Sequence, residues 1–251
     1  MLKPAFLIPV YNHGDTLLDV ISQIALYELP CLVVDDGSDT QTKALIHNVV
    51  MQFDWVTCIT LPYNGGKGAA ILAGFAQLLQ QGYSHAIQLD ADNQHQVADV
   101  AKFIDLLNAH PQSLISGMPV YDDSAPKSRL YGRKITNFWV SIETWSTQLV
   151  ESMCGFRVYP LLCLVKILPK ISGRRMDFDI EIIVKAYWHS IDICYIKTQV
   201  TYPAKGKSHF RLWRDNVRIS WLHTRLFLSM FYYMPRLRLM RLCKTSVTAY
   251  K

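Results

Sequence analysis

The residues best suited to chemistry in this chain are carboxylates placed in pairs. One pair lies in Val34-Asp35-Asp36-Gly37-Ser38, the other in Leu89-Asp90-Ala91-Asp92-Asn93-Gln94-His95. In an extended segment, residues two apart point to the same side, so Asp90 and Asp92 can aim together at one cation. Hard divalent ions such as Mg2+ and Mn2+ favour carboxylate oxygen and usually keep phosphate oxygens as further ligands. A diphosphate leaving group needs that charge neutralised while the bond to it breaks. Asp90 and Asp92 are therefore candidate metal ligands, with Gln94 or His95 completing or orienting the shell. Alone, an Asp-x-Asp pair more often solubilises a loop or caps a helix. Here each acidic pair ends a segment that reads as a strand, where α/β sheets collect their ligands.

A second cluster, Tyr63-Asn64-Gly65-Gly66-Lys67-Gly68-Ala69-Ala70, looks like a phosphate loop. It opens a helix, where free backbone N–H groups attract anions. It satisfies neither the Walker order nor the dinucleotide fingerprint, so a tight strand-to-helix turn is an equal reading.

These residues need elements to hold them. Ala5–Val10, Cys31–Asp35, Val56–Leu61, His85–Asp90 and Ser113–Gly117 are compact, apolar and bounded by turn residues, and read as strands. Thr16–Tyr27, Thr40–Phe53, Ala69–Gln81 and Val97–Ala109 read as helices; the first puts Leu17, Val20, Ile21 and Ile24 on one face. The alternation predicts an α/β fold with a mainly parallel central sheet flanked by helices on both sides. The second half is less regular. Pro119–Arg133 reads as a polar loop, Lys134–Val150 and Phe178–His189 as helices, and Ile191–Tyr202 as an exposed-edge strand.

Length and composition set the bounds. A chain of 251 residues, half of them hydrophobic and 18% charged, can bury a sizeable core and is not disordered. The six cysteines contain no CxxC pair, which supports neither a zinc knuckle nor a redox pair and predicts reduced, buried thiols. The apolar stretch after Met1-Leu2-Lys3-Pro4 is too short for a signal peptide, so a cytoplasmic location is expected. The formal charge of +6 is uneven. From Lys205 onward eleven Lys or Arg face one acid, Asp215, whereas the preceding residues hold fifteen bases and nineteen acids. An acidic body with a basic tail points to an anionic partner for the tail.

Five separated stretches now agree. Ile8-Pro9-Val10-Tyr11-Asn12, Val34-Asp35-Asp36-Gly37-Ser38, Asn64-Gly65-Gly66-Lys67-Gly68-Ala69-Ala70, Leu89-Asp90-Ala91-Asp92-Asn93-Gln94-His95 and Cys154-Gly155-Phe156-Arg157 stand in the order found in family-2 glycosyltransferases. The chain resembles that family, and within it the dolichyl-phosphate mannosyltransferase-like branch. The resemblance implies a GT-A (nucleotide-diphospho-sugar transferase) fold, a UDP- or GDP-sugar donor, Mg2+ or Mn2+, and inversion in one displacement. It implies that Pro9, Tyr11 and Asp36 line the base and ribose pocket while Asp35 braces the turn. Lys67 would lie near the donor phosphates, Asp90 would face ribose or metal, and Asp92 with Gln94 would bind the metal. Transfer to a hydroxyl needs a base. Asp179 is the first candidate, with Asp177 and Glu181 behind it; an acid that merely offsets a helix dipole is the alternative. A phosphate acceptor is already anionic and needs no base.

The resemblance departs at two places. The family's Gly-Ser-Arg after the fifth strand is here Gly117-Met118-Pro119, leaving Arg129 or Arg133 as substitutes. The late Arg-x-x-Gly-x-Ser-Lys motif is here Pro203-Ala204-Lys205-Gly206-Lys207-Ser208-His209. Lys205, Lys207, His209 and Arg211 keep this loop cationic and are candidate acceptor- or phosphate-binding residues, as is Arg129.

The organisation expected is a glycosyltransferase domain over 1–212 and a basic, aromatic, amphipathic segment over 213–251. Its uninterrupted apolar part, Leu226–Met234, is far below the ~20 residues a span requires, and Pro235 is expected to break the helix. Such a segment suits an anionic headgroup interface, which predicts a protein peripheral on the inner face of a membrane. Packing of the segment on the domain is the alternative, and nucleic acid is not an expected partner. The leading function is sugar transfer to a lipid-linked or polyprenyl-phosphate acceptor. The alternatives are a non-phosphate hydroxyl acceptor, such as a glycolipid, polyene or polysaccharide, or an inactive membrane-surface module. A nucleotidyltransferase would carry a glycine-rich signature after the first strand, where Pro9-Val10-Tyr11-Asn12 stands instead.

Overall fold

The computed structural model describes residues 2–121, 127–200, 212–242 and 248–250. Strands β1 (Pro4–Val10), β2 (Cys31–Asp35) and β3 (Val56–Thr60) are linked by helices α1 (Gly14–Ile24) and α2 (Thr40–Gln52). Helix α3 (Lys67–Gln80) leads to β4 (His85–Gln88), and α4 (Val100–Ala109) to β5 (Leu114–Tyr121). Then come α5 (Lys127–Thr144), β6 (Arg157–Pro160), the single turn α6 (Leu161–Leu164), α7 (Phe178–Trp188), β7 (Ile193–Val200), α8 (Leu212–Leu242) and β8 (Thr248–Tyr250). Among the described residues one sheet runs in the order β3-β2-β1-β4-β6-β5-β7-β8. All its pairings are parallel except the two that β6 makes, with β4 and β5.

The core follows from strand alternation. Leu7, Leu32 and Val34 join one buried cluster with α3, α7 and α8; Phe6, Ile8, Cys31 and Val33 join the other with α1, α2 and α4. Both faces are covered, so β2 is buried at every position. Helix α2 is capped by Asp39, whose side chain accepts from the Thr42 N–H at 2.8 Å. Helix α7 lies between the sheet and α8 and is buried along nearly its whole length. It is mostly apolar, but it also buries Asp179 and Glu181, which therefore need partners.

Four expectations are corrected. The stretch Pro119–Arg133 is not a loop: β5 continues to Tyr121 and α5 begins at Lys127. Proline is tolerated at 119 because Gly117 N donates toward Phe156 O, on the β6 side. Residue 119 faces that same side, beyond the last β6 pairing at Ser116, so no ladder donor is lost. Strand β6 was not foreseen, being four residues long and opened by a charge. The segment around β7 is not an exposed edge but sits between β5 and β8. Finally, α8 runs straight through Pro235. Proline costs a helix about 3 kcal/mol, but packing on both sides offsets it. Tyr233 stacks on Trp188 at 4.7 Å, Arg236 donates to the His189 carbonyl at 3.1 Å, and Leu237 is buried.

One face of α8 is thus part of the core. Leu222, Leu226, Met230 and Leu237 are buried, and His223 Nδ1 meets Glu143 Oε1 of α5 at 2.7 Å. Leu226→Ala is expected to lower stability by about 2–4 kcal/mol, whereas exposed Leu228→Ala should change it by less than about 0.5 kcal/mol. Urea denaturation measures both, and equal losses would show that α8 is not docked by this face.

Candidate active site

The site is assembled where the parallel strands end. Connections from β1 and from β4 leave toward opposite edges of the sheet, opening a crevice beyond their carboxyl ends. Pro9 and Tyr11 come from the end of β1. The next residue, Asn12, links β1 to β2: its N–H donates to Ser38 Oγ at 3.1 Å and its Oδ1 accepts from Asp39 N at 2.9 Å. Asp35 Oδ1 accepts from Ser38 N at 2.8 Å, bracing the turn. Asp36 is buried and faces the glycine loop, with Oδ1 accepting from Gly65 N and Oδ2 from Gly66 N, each at 2.8 Å. Burial pushes its carboxyl upward, and these N–H groups offset only part of that. Gly66 has φ +100, and a Cβ there would run into the Arg174 carbonyl and the Arg175 side chain. The loop therefore lies directly against the segment that enters α7.

Lys67, the first residue of α3, is the hub. Its ammonium lies 2.8 Å from Asp90 Oδ2 and 3.5 Å from Asp179 Oδ2. Burial alone would lower its pKa, but the Asp179 and Asp90 carboxylates reverse the effect and hold it well above the usual lysine range. Arg157, wholly buried at the start of β6, supports Asp179 from the other side. Its Nη1 donates to the Asp179 carbonyl at 2.7 Å and sits 4.0 Å from Oδ1, while Nη2 donates to the Ser152 carbonyl at 2.8 Å. Burial raises the Asp179 carboxyl, with Lys67 and Arg157 opposing. Below this, Tyr159 donates to Gln88 Oε1 at 3.0 Å, and Gln88 Nε2 reaches Asp90 Oδ1 at 3.4 Å. Gly155 closes over the Lys67–Asp90 pair so tightly that a Cβ would collide with both.

Asp92 stands beside this cluster, its Oδ1 accepting the Gln94 N–H at 3.2 Å. Burial, and next the neighbouring Asp90 charge, push the Asp92 carboxyl up to about 6. Burial works against an ionised Asp90 too, but Lys67 and then His95 outweigh it and hold Asp90 below the usual range. His95 itself is driven down to about 4 by burial and is neutral at pH 7. The Thr16 hydroxyl donates to the Ala91 carbonyl and ties this loop to α1. No group of three or more His, Cys, Asp or Glu side chains stands together as a metal cage among the described residues. The donor chemistry nevertheless fits a hard divalent ion. Asp90 and Asp92 are two adjacent, partly buried carboxylates, and a divalent cation held by them would offset the burial and the mutual repulsion that lift Asp92.

The three acids around α7 have different surroundings. Asp179 points into the cluster. Asp177 accepts from Arg175 N at 2.9 Å and shapes the entry to the helix. Glu181 accepts from Ser172 N, the Ser172 hydroxyl, Gly173 N and Lys185, which together outweigh burial and hold its pKa low. It braces a loop and is poorly suited to take a proton. Lys205, Lys207, His209 and Arg211 lie outside the described residues, as does the side chain of Arg129. Arg133 pairs with Glu151 at 3.3 Å, its guanidinium 5.4 Å from the centre of the Tyr121 ring. Sequence reasoning gave no role to Arg157, Tyr159 or Gln88. Arg157 stood at the end of the matching stretch Cys154-Gly155-Phe156-Arg157, which was the available signal.

Residues 5–160 match the family model for glycosyl transferase family 2. The chain is 26% identical over 219 residues to the polyprenol monophosphomannose synthase of Mycolicibacterium smegmatis, covering 84% of this chain and 82% of that protein. It is 21% identical over 212 residues to the UDP-N-acetylglucosamine--dolichyl-phosphate N-acetylglucosaminyltransferase of Methanococcus voltae, covering 78% and 84%. Among solved structures, glucosyl-3-phosphoglycerate synthase from Mycobacterium tuberculosis, in complex with Mn2+, UDP-glucose and phosphoglyceric acid, superposes with a TM-score of 0.65. That match covers 92% of this chain and 78% of the other at 12% identity, which speaks to the fold alone. The family match runs from β1 through β6 and takes in every strand that borders the crevice, so the chain belongs to glycosyl transferase family 2 and has the GT-A fold.

Proposed function

We propose that this transferase moves a sugar, with inversion, from a UDP- or GDP-sugar to a lipid-linked phosphate acceptor at the cytoplasmic face of a membrane. The observation that carries the reading is the ion cluster at the crevice: Lys67 between Asp90 and Asp179, with Asp92 alongside. The names of the relatives support the acceptor class, and the free thiols of Cys31, Cys58, Cys154, Cys163 and Cys194 suit a reducing compartment.

In this reading Pro9, Tyr11 and the Asp36-anchored loop cradle the base and ribose. Lys67, fixed by its two carboxylates, offers its charge to the pyrophosphate without reorganising. Asp90 and Asp92, with Gln94, would hold Mg2+ or Mn2+, whose charge would neutralise the departing nucleoside diphosphate. Lys205, Lys207, His209, Arg211 and Arg129 would steady an anionic acceptor. A phosphate oxygen attacks the anomeric carbon opposite the leaving diphosphate, and no proton has to be removed. This suits the surroundings of Asp179, which is 3% exposed and already engaged with two cations. A hydroxyl acceptor, the second reading, would require Asp179 or Asp177 to take a proton.

The direct test incubates the protein with UDP- and GDP-sugars, Mn2+ and a short polyprenyl phosphate, following nucleoside diphosphate release and the glycolipid by mass spectrometry. No product with any donor would end the proposal. Asp92→Ala is expected to lower kcat by about a hundredfold or more with an unchanged melting temperature; retained turnover would remove Asp92 from the metal site. With the phosphate acceptor, Asp179→Asn should leave the acid limb of the kcat/KM pH profile in place. Disappearance of that limb would make Asp179 the base and favour the hydroxyl acceptor.

A further inference from the structure

Helix α8 carries two apolar stripes. One, through Leu222, Leu226, Met230 and Leu237, is buried in the core. Successive helical residues turn by about 100°, which puts Trp213, Val217, Trp221, Leu228, Phe231 and Tyr232 on the opposite side. All six are exposed, Trp213 by 85% and Tyr232 by 83%. Core packing does not explain this second stripe. Arg214, Arg218, Arg225 and Arg236 form a row along its flank, and Asp215 is the sole acid of the helix. Helix α5, packed beside α8 through Glu143 and His223, repeats the pattern. Val140 faces the core, whereas Tyr131, Ile135, Phe138 and Trp139 face outward, with the Trp139 ring 6.3 Å from His223. Four of the large exposed hydrophobics lie on α5 and seven on α8, eleven of the twenty on the described surface. A concentration of this kind marks a contact surface.

We infer that the outward faces of α5 and α8 together form a docking surface for an anionic lipid bilayer, with the aromatic rows inserted among the headgroups and the flanking arginines giving that face its positive charge. The charge selects this occupant. Aromatic residues flanked by arginines, with a single acid, complement a surface that is apolar beneath and anionic above. No described helix is long and apolar enough to cross a membrane. The surface also borders the crevice. Arg133 of α5 pairs at 3.3 Å with Glu151, on the segment that leads to Gly155 over the Lys67–Asp90 pair. Arg225 of α8 donates to the hydroxyl of Ser172, on the loop leading to α7. A lipid-borne acceptor would thus meet the site from the plane in which it resides. The inference deepens the lipid-acceptor reading, but the surface itself rests on exposure and charge.

The test floats the full chain with vesicles of phosphatidylcholine and phosphatidylglycerol, and with phosphatidylcholine alone. Binding is expected to the anionic vesicles and to fall with salt. The double variants Trp221→Gln/Phe231→Gln and Tyr131→Gln/Phe138→Gln should each weaken partitioning by about tenfold or more. Met51→Gln/Leu162→Gln, which alters exposed hydrophobics elsewhere, should not. Circular dichroism checks the fold of each variant, and transfer to a water-soluble short-chain acceptor should persist in the first two. Unchanged vesicle binding in either of those pairs overturns the inference. So does a dimer that these substitutions dissolve while no vesicle binding is seen, because a second copy would then cover the face. Loss of transfer in the unaltered chain would remove the catalytic reading alone, since flotation reads the surface independently.

Discussion

The Lys67 ammonium, held between Asp90 and Asp179, is the interaction on which the site depends. Charges taken out of water are costly unless each finds a partner, and leaving one unpaired costs more than the pair contributes. Three separate parts of the chain must therefore converge on one point: the start of α3, the loop after β4 and the first turn of α7. Arg157 adds a second cation from β6 and fixes the backbone of α7 through the Asp179 carbonyl. Asp92 stands outside this arrangement: burial and the neighbouring Asp90 charge raise its carboxyl, and Lys67 offsets only part of that. In the proposed reading, that unbalanced carboxylate is where a divalent cation would be held.

The scaffold explains why the convergence is possible. Parallel strands bring β1, β2 and β4 to the crevice by their carboxyl ends. Antiparallel β6 arrives from the opposite direction, so its first residue, Arg157, lies opposite Gln88. A parallel strand in that position would have delivered its last residue instead. Helix α7 can carry buried acids because the sheet covers one side and α8 the other. Their partners are Lys67 and Arg157 for Asp179, and the Ser172–Gly173 loop with Lys185 for Glu181.

The parallel half of the fold was legible in the sequence because its signals are local. Compact apolar runs gave strands, one-faced periodicity gave helices, and acids at strand ends gave the crevice; Cys31–Asp35 appears with the same limits in the structure. The second half was less legible because tertiary packing decides it. Proline at 119 and 235 reads locally as a breaker, but the first faces an unpaired side and the second is flanked by docked turns. Strand β6 has four residues, too few to show a period. At the site, the aspartates and Lys67 were visible as types and spacings. Their mutual pairing was not, since Lys67 and Asp179 are remote in sequence. The two stripes of α8 likewise blur into one mixed pattern until burial separates them.

Gly155 has a consequence of its own. Its Cα passes so close to Lys67 and Asp90 that a single added methyl group would wedge between them. The position is therefore steric rather than chemical in its demand: it takes part in no ion pair, yet it sets how near the two ions can approach. A change from Gly155 to Ala would act as a spacer, imitating a charge defect while leaving every charged residue in place.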